Sequence, residues 1–426
     1  PLIGQYIVRK VAGHDARQRG VLYVGTDDGR LRVSMDDGKT WTDTQSRLPG
    51  LPASSWVAGI EASRHADGTV YVVFDNHRSN DFKNYIYKSM DFGQTWTAIT
   101  GDMPADRVAR TIREDPRNAN LLYVGAEFGV WISPDSGQHW IALQNNMPTL
   151  PFNDLVVHAR DNDLVLASHG RGIWILDNVN ALQGLTPETT RSDVALFLME
   201  PAYQIRYTNL KAHTGDMIFR GENPPHGAII DYWLGRQPES VTLEVRDEQK
   251  QLVQTLRPTL SRGVNRVVWN LRHANLPVRA GGGGDDDEGG EPSGLPGPLV
   301  RPGTYTVFLT ATFGGGRVMG STATVNVLED PRINISDADH NAWSNAAMAV
   351  ADMIRRGAPV NERMQKASGG ADVADLKRQW RELMARMTGL YGEIGRWTGR
   401  PTADQMSEMT FYGDTLQRLV SMSDRY

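Results

Sequence analysis

Polar side chains that could bind a ligand recur where consecutive predicted β-strands are joined. Charged and hydrogen-bonding groups on short loops are commonly held together at one edge of a scaffold, where they can form a binding site. The same residue types also make ordinary hairpin turns, which is the alternative interpretation. The connection 75–83 is longer than a hairpin needs and is therefore the best single candidate. The candidate ligand-binding residues are Asp27, Asp28, Asp75, His77, Arg78, Glu127, His169 and Arg171.

Two of these residues form a candidate acid–base pair. Glycoside hydrolysis usually needs two carboxylates that lie about 5–5.5 Å or about 6.5–9.5 Å apart. Asp75 and Glu127 are expected on neighbouring structural repeats, which would allow the wider separation. They are the candidate catalytic residues, and no cofactor is predicted.

Other familiar catalytic patterns are absent from the sequence. It contains no Gly-x-Ser-x-Gly elbow, His-Glu-x-x-His zinc motif or phosphate-binding glycine loop. Only Arg78 and Arg171 are available for an arginine cluster, and no tyrosine is placed on the same loops, which argues against a sialidase. The chain has no cysteine, so disulfides, thiolate metal sites and cysteine nucleophiles are excluded.

Three near-copies of one octapeptide occur at residues 34–41, 89–96 and 133–140, at spacings of 55 and 44 residues. They share the pattern Ser-x-Asp-x-Gly-x-x-Trp, which is the Asp-box of β-propeller proteins. The aspartates are expected to accept backbone N–H bonds in a tight turn, the glycines to take a positive φ, and the tryptophans to pack between sheets. The residues predicted to have this structural role are Ser34, Asp36, Gly38, Trp41, Ser89, Asp91, Gly93, Trp96, Ser133, Asp135, Gly137 and Trp140.

Each octapeptide lies between the third and fourth of four predicted strands, which is the pattern of a propeller blade. A fourth repeat, at 155–177, has three predicted strands and no octapeptide. Residues 1–187 are therefore predicted to be four blades of a partial propeller. The chain starts with Pro1 rather than methionine, and we expect further blades in a missing N-terminal part or on a companion chain.

The remainder divides into three predicted segments. Residues 188–215 are predicted to be a connector with one strand at 194–199. Residues 216–330 contain alternating strands separated by turn residues, which is typical of an immunoglobulin-like β-sandwich. Residues 331–426 are predicted to be a helical hairpin or bundle. The fold class is mainly β with an α-helical tail.

One segment of the predicted sandwich cannot form a core. Residues 281–298 are rich in glycine and acidic residues, and are expected to be a disordered loop. Calcium is the cation that this composition would attract, but the spacing matches no ordered calcium site, so no metal site is predicted. The acidic residues concerned are Asp285, Asp286, Asp287 and Glu288.

Helix signals are clear in the last segment. Ser336 is the predicted N-cap of a first helix that runs to about Arg356. A second helix carries apolar residues at gaps of three or four between 373 and 394. A third starts after Gly399, and its residues expected to share one side are Met406, Met409, Leu416 and Leu419.

Composition excludes several classes of protein. The formal net charge is −5, from 45 basic and 50 acidic residues, which argues against a general nucleic-acid binder. No run of apolar residues is long enough to span a membrane. Glycine, tryptophan and tyrosine are frequent, which favours a turn-rich β protein.

Longer stretches carry a family resemblance. Residues 56–63, 73–82, 113–117, 121–129 and 166–177 resemble the C-terminal part of large bacterial sortilin-like Asp-box (BNR repeat) propeller proteins, often labelled glycosyl hydrolases. The resemblance covers nearly the whole chain and is most specific in residues 20–180. It implies an extracytoplasmic protein, at the cell surface, in the periplasm or secreted, and it implies no single reaction. Residues 263–272 and 301–308 also resemble the immunoglobulin-like domain of flagellar hook-capping proteins, in fold only.

Two functional hypotheses follow. The first, which we favour, is an exported non-catalytic binding or assembly module whose propeller face binds a peptide, protein or glycan. The second is a glycoside hydrolase acting on a polysaccharide through Asp75 and Glu127. Neither hypothesis involves nucleic acid.

Overall fold

The computed structural model describes residues 12–14, 19–144, 146–205, 221–278, 294–396 and 398–425. The chain divides into two units, Pro1–Ser192 and Asp193–Tyr426. The first unit is built of antiparallel sheets, and the second combines two sheets with a helical C-terminal region. The predicted fold class, mainly β with an α-helical tail, is confirmed.

Four antiparallel sheets form the first unit, and each follows the order of its strands in the sequence. We call them blades 1 to 4. The first three have four strands, whereas blade 4 has three described strands. The strands are β1 (Ala12–His14), β2 (Leu22–Gly25), β3 (Leu31–Ser34) and β4 (Thr42–Asp43); β5 (Trp56–Ala62), β6 (Val70–Asp75), β7 (Tyr85–Ser89) and β8 (Thr97–Ala98); β9 (Ala109–Glu114), β10 (Leu122–Ala126), β11 (Gly129–Ser133) and β12 (Ile141–Leu143); β13 (Phe152–His158), β14 (Asp163–Ser168) and β15 (Ile173–Leu176). Two short helices, α1 (Asn180–Gln183) and α2 (Pro187–Arg191), follow.

Consecutive blades pack face to face through apolar side chains. Blades 1 and 2 share a buried cluster that includes Tyr23, Leu31, Val57 and Val72. Blades 2 and 3 share a second cluster of the same kind. Burial of β-branched and aromatic side chains on both faces explains why the second strands are almost uniformly apolar.

The three octapeptides form one kind of turn. In the first, the Ser34 hydroxyl donates to Asp36 at 2.9 Å, the Gly38 N–H donates to Ser34 Oγ at 2.8 Å, and the Thr40 N–H donates to Asp36 at 2.8 Å. The glycines at the fifth position have φ of 82°, 78° and 94°, values that favour glycine. The Trp41 indole N–H closes the turn on the Gly38 carbonyl at 2.9 Å. The fourth strands are only two or three residues long, because the tryptophan before each belongs to the turn or the interface.

A β-bulge recurs on the first strand of blades 2, 3 and 4. The extra residues are Ala58, Arg110 and Asn153, each opposite a shift in the register of the second strand. A bulge bends its strand and redirects a side chain. The first strand of blade 4 also starts at Phe152, three residues before the predicted start, because pairing continues past the bulge to Ser168.

The second unit begins as a β-sandwich. One sheet has the order β16-β18-β21, and the other has the order β17-β23-β22-β19-β20, with a shared apolar core. The strands are β16 (Val194–Leu196), β17 (Ala202–Gln204), β18 (Ala228–Leu234), β19 (Ser240–Arg246), β20 (Leu252–Leu256), β21 (Gly263–Trp269), β22 (Gly303–Phe313) and β23 (Arg317–Glu329).

The segment predicted to be a connector contributes to this sandwich. Its strand is shorter than the predicted 194–199 and pairs with β18. Strand β17, which the sequence analysis missed, pairs in parallel with β23. Three residues are too few to show a periodic pattern, and the partner lies more than a hundred residues away.

Three helices complete the unit: α3 (Asp337–Lys366), α4 (Ala371–Arg396) and α5 (Ala403–Ser423). The Ser336 side chain caps α3 by accepting the Asp339 N–H. Helix α3 continues ten residues past the predicted end at Arg356, through Pro359, because Ala358 and Met364 are buried on the continued face. On α5, Leu416 and Leu419 are buried, but Met406, expected on the same side, is exposed. No helix among the described residues is long and apolar enough to cross a membrane.

The end of the predicted disordered loop is ordered. Leu295 exchanges backbone hydrogen bonds with residues 276 and 278, so this part of 281–298 is held against the segment 276–278. The acidic residues Asp285, Asp286, Asp287 and Glu288 lie outside the described residues.

Candidate functional site

The loops that carry the predicted site residues lie at one end of the first unit. In an antiparallel sheet, the connection between the second and third strands is opposite the connection between the third and fourth. The octapeptide turns are therefore at one end, and the loops 26–30, 76–84, 127–128 and 169–172 are at the other. We call this second end the rim.

The strand register places one residue of blades 2, 3 and 4 at the same rim position. Asp75, Glu127 and His169 each follow the residue that pairs across the bulge. The repeated geometry explains why polar residues of different type recur there. Asp27 occupies the corresponding place in the sequence of blade 1, after Tyr23-Val-Gly-Thr.

An arginine missed by the sequence analysis joins the two candidate catalytic residues. The Arg110 guanidinium donates through Nη1 to Asp75 and through Nη2 to Glu127, and its Nε lies 3.0 Å from Glu127 Oε2. Arg110 is the bulge residue of β9, so its side chain is turned toward both carboxylates. Asp75 and Glu127 are thus brought together, with a guanidinium between them.

Asp75 has no surface left for a substrate. Its side chain is 1% exposed. One oxygen accepts the His77 backbone N–H at 2.9 Å and contacts His77 Nδ1 at 2.7 Å, while the other faces Arg110. The short 3₁₀ helix His77–Ser79 holds this arrangement at the start of the long loop.

Aromatic side chains accompany the charged groups. The Arg78 guanidinium lies 3.7 Å from the centre of the Trp56 ring, and the His77 ring is 5.8 Å from the same indole. Phe82 and Phe128 are both exposed on rim loops. Neither phenylalanine was among the predicted ligand-binding residues, although a phenylalanine in a turn is itself a sequence signal for an interaction surface.

The rim residues of blades 1 and 4 are separate from the Arg110 bridge. Asp28 accepts from the Thr26 hydroxyl, which lowers the pKa of its carboxyl, and it lies 3.4 Å from Arg30. His169 is 3.4 Å from Asn153. The described residues show no hydrogen bond or ion pair that joins Asp27, Asp28, His169 or Arg171 to the bridge. These four are exposed.

A second charged cluster lies on the first strands of blades 2, 3 and 4. Arg113 Nη2 is 2.7 Å from Asp154, and Arg113 Nε is 3.9 Å from Glu61. Burial raises the pKa of Glu61 to about 7, against the opposing effect of Arg113. Charged residues inside otherwise apolar strands are the sequence signal that could have identified this cluster.

A buried carboxylate next to this cluster has a structural role. Glu114 accepts from the Ser63 hydroxyl at 2.8 Å, from the Tyr71 hydroxyl at 3.0 Å and from the Arg64 N–H at 2.8 Å. Burial beside Glu114 raises the pKa of Tyr71. The network ties blade 2 to blade 3.

The second unit contains a cavity of about 840 Å³ that no predicted site residue lines. Its walls include Arg272, Arg396, His226 and Gln204. Gln204 is buried, and its Oε1 has no hydrogen-bond partner among the described residues. Among all the described residues of both units, no cluster of three or more histidine, aspartate or glutamate residues could hold a metal ion.

Comparison with known proteins gives partial likenesses. No family model matches the chain. A xyloglucanase from Hypocrea jecorina (strain QM6a) is 30% identical over 134 residues, which are 28% of this chain and 16% of that protein. The chain therefore spans about a sixth of the length of that relative.

Solved structures also resemble the chain over part of its length and at low sequence identity. A GH74 enzyme from Niastella koreensis has 17% identity and a TM-score of 0.29, with 52% of this chain and 27% of that one covered. The GH74 xyloglucanase from Xanthomonas campestris has 12% identity and a TM-score of 0.31, with 80% of this chain and 49% of that one covered.

Proposed function

We propose that this protein is a non-catalytic binding module whose rim holds a polysaccharide. The observation that carries the proposal is the Arg110 bridge between Asp75 and Glu127. The bridge makes the two carboxylates parts of the scaffold that shapes the rim. Membership of the sortilin-like Asp-box proteins, an immunoglobulin-like sandwich and an extracytoplasmic location belong to the same proposal.

The bridge argues against these carboxylates as an acid–base pair. A general acid must reach the glycosidic oxygen and a general base must reach water. Asp75 is buried and both its oxygens are engaged. Glu127 uses Oε2 for two contacts with Arg110. Asp75 is therefore not arranged to exchange a proton with a sugar, so the two carboxylates do not form an acid–base pair.

The exposed parts of the rim suit a glycan. The apolar C–H face of a sugar ring packs against an aromatic ring, and its hydroxyls need both donors and acceptors. Phe82 and Phe128 offer the rings, Arg78 and Arg171 offer donors, and Asp27 offers acceptors. The likeness to a xyloglucanase over 134 residues supports a polysaccharide as ligand, without extending that enzyme's activity to this chain.

Affinity electrophoresis tests the proposal. The protein is run through gels that contain xyloglucan or mixed-linkage glucan, and retardation is measured. We expect retardation by at least one polysaccharide, weakened roughly fivefold by Phe128→Ala, since an aromatic contact contributes about 1 kcal/mol. Phe411→Ala, which removes another exposed phenylalanine ring from α5, is the matched control and should bind as the unmodified protein does. If migration is unretarded in every gel and a peptide library yields a ligand whose binding needs Phe128, the ligand of the rim is a peptide and the polysaccharide proposal is wrong.

A second candidate function rests on the cluster of Glu61, Arg113 and Asp154. Glu61 has a pKa of about 7 and can hold a proton near neutral pH, while Asp154 is paired with Arg113. Carboxylates whose environments differ in this way are typical of glycoside hydrolases. This candidate predicts release of reducing ends from a polysaccharide, abolished by Glu61→Gln and retained in Glu127→Gln. Absence of product from the unmodified protein would exclude it.

A further inference from the structure

The first unit has two exposed surfaces that match the two sides of the interface between its consecutive blades. Blades 1 and 2, and likewise blades 2 and 3, bury the third strand of one blade against the sheet of the next. We propose that the open face of blade 4 and the open edge of blade 1 receive further four-stranded sheets with Ser-x-Asp-x-Gly-x-x-Trp turns. These sheets would lie outside the 426 residues of this chain. The inference does not depend on the ligand of the rim.

The open face of blade 4 is identified by comparing equivalent positions. Leu31, Ile86 and Val130 pair with the corresponding residues of the second strands, and their exposed fractions are 0%, 0% and 1%. Ile173 has the same position in blade 4 and is 71% exposed. Two residues further along β15, Ile175 is 60% exposed, whereas its blade 1 counterpart Val33 is 4% exposed.

The exposed side chains form one apolar face. Val156, Val165 and Ile175 pair across the three strands of blade 4, so their side chains point to the same side. The opposite face, with Leu155 and Leu166, is buried. A contiguous exposed apolar patch of this kind is typical of an interaction surface. Among the described residues, β15 also lacks the outer neighbour that the third strands of blades 1 to 3 have.

The open edge of blade 1 is identified by its tryptophan. Trp96 packs into the cluster of blade 1 and is 6% exposed, and Trp140 packs beside Ile99 of blade 2 and is 5% exposed. Trp41 forms the same turn but is 39% exposed. Each buried tryptophan is covered by the preceding blade, and Trp41 has no such blade among the described residues.

The number of residues in one blade indicates where the proposed sheets come from. The octapeptide spacings of 55 and 44 residues give the length of one blade. The undescribed residues of the first unit are 1–11, 15–18 and 145, which are too few for a four-stranded sheet. The interface inside the chain defines the chemistry of the partner, namely small and β-branched side chains for β15 and a third strand to cover Trp41.

Site-specific photocrosslinking in the cells that produce the protein tests the inference. Benzoylphenylalanine is placed at Ile175, at Trp41 or, as the control, at Phe411 of α5, and the crosslinked peptides are sequenced. We expect the probes at Ile175 and Trp41, but not the control, to capture segments with Ser-x-Asp-x-Gly-x-x-Trp repeats from outside these 426 residues. The exchange of the β15 amides, measured in parallel, should be at least tenfold slower in the native assembly than in the isolated chain.

Three results would overturn the inference. Capture of residues 19–205 from a second copy would show a head-to-tail dimer. Capture of residues 1–18 of the same chain would show that the chain covers its own faces. No crosslink at either position, with unchanged exchange of the β15 amides, would show that these faces stay open.

Discussion

Arg110 shows how one bulge determines the chemistry of the rim. Arg110 and Arg113 are three positions apart in the sequence, so strict strand alternation would place them on opposite faces of the sheet. The bulge instead directs Arg110 toward Asp75 and Glu127, while Arg113 contacts Asp154. The sequence predicted that the two carboxylates lie on neighbouring blades. It could not predict the guanidinium between them, because a bulge depends on pairing with the next strand.

Replacing Arg110 should destabilise the first unit. Arg110→Met leaves the buried Asp75 carboxylate without its charged partner, and breaking such a pair costs about 3 kcal/mol. Arg32→Met removes an exposed arginine that lies 3.9 Å from Asp43, and should cost less than about 1 kcal/mol. Urea unfolding followed by tryptophan fluorescence measures both changes. Equal unfolding midpoints for the two variants would show that the bridge is not structural.

Glu61 should make stability fall with increasing pH. Its pKa in the folded protein, about 7, exceeds the ordinary value of 4.5, so the folded protein retains a proton that the unfolded chain releases. The stabilising difference is complete below pH 4.5 and is lost as the pH rises to 7, about 3 kcal/mol in total. Urea unfolding between pH 5 and 8 measures this slope. Glu61→Gln should flatten it, and Glu362→Gln, on an exposed face of α3, should leave it unchanged.

The elements are predicted from sequence most reliably where the pattern is local. The octapeptide turn depends mainly on contacts between residues at most seven apart, and the serine–aspartate hydrogen bond is the same in all three copies. Among the three tryptophans, only the third has a different hydrogen-bond acceptor, because the Trp140 indole donates to the Ile99 carbonyl of blade 2. Strand β17 and the continuation of α3 past Pro359 depend on distant packing, and local patterns did not reveal them. Burial of Met364 on the last turns of α3 offsets the backbone hydrogen bond that Pro359 cannot make.

The tryptophans of the first two turns make a matched pair. Trp96→Ala removes a buried ring and should cost about 3–5 kcal/mol. Trp41→Ala removes a ring that is more than one-third exposed and should cost about 1 kcal/mol or less in the isolated chain. Thermal unfolding of the two variants measures the difference. A larger loss for Trp41→Ala would mean that other contacts cover this side chain.

At the scale of the molecule, a repeated sheet supplies a rigid rim and its loops supply the variable chemistry. Equivalent positions carry Asp75, Glu127 and His169, so the same scaffold position holds an acidic side chain in two blades and an imidazole in the third. Sequence repeats predicted the blades and the rim that they share. They could not predict which rim residues are exposed, because exposure depends on the bulges and on contacts across blades.

Isothermal titration of a polysaccharide into the protein tests the binding role most directly, because binding and hydrolysis differ in their heat signals. We predict a saturable binding isotherm with xyloglucan or mixed-linkage glucan that returns to baseline, is weakened by Phe128→Ala and is preserved in Phe411→Ala. Sustained heat flow that Glu61→Gln abolishes would contradict the account, and so would the absence of binding to either polysaccharide.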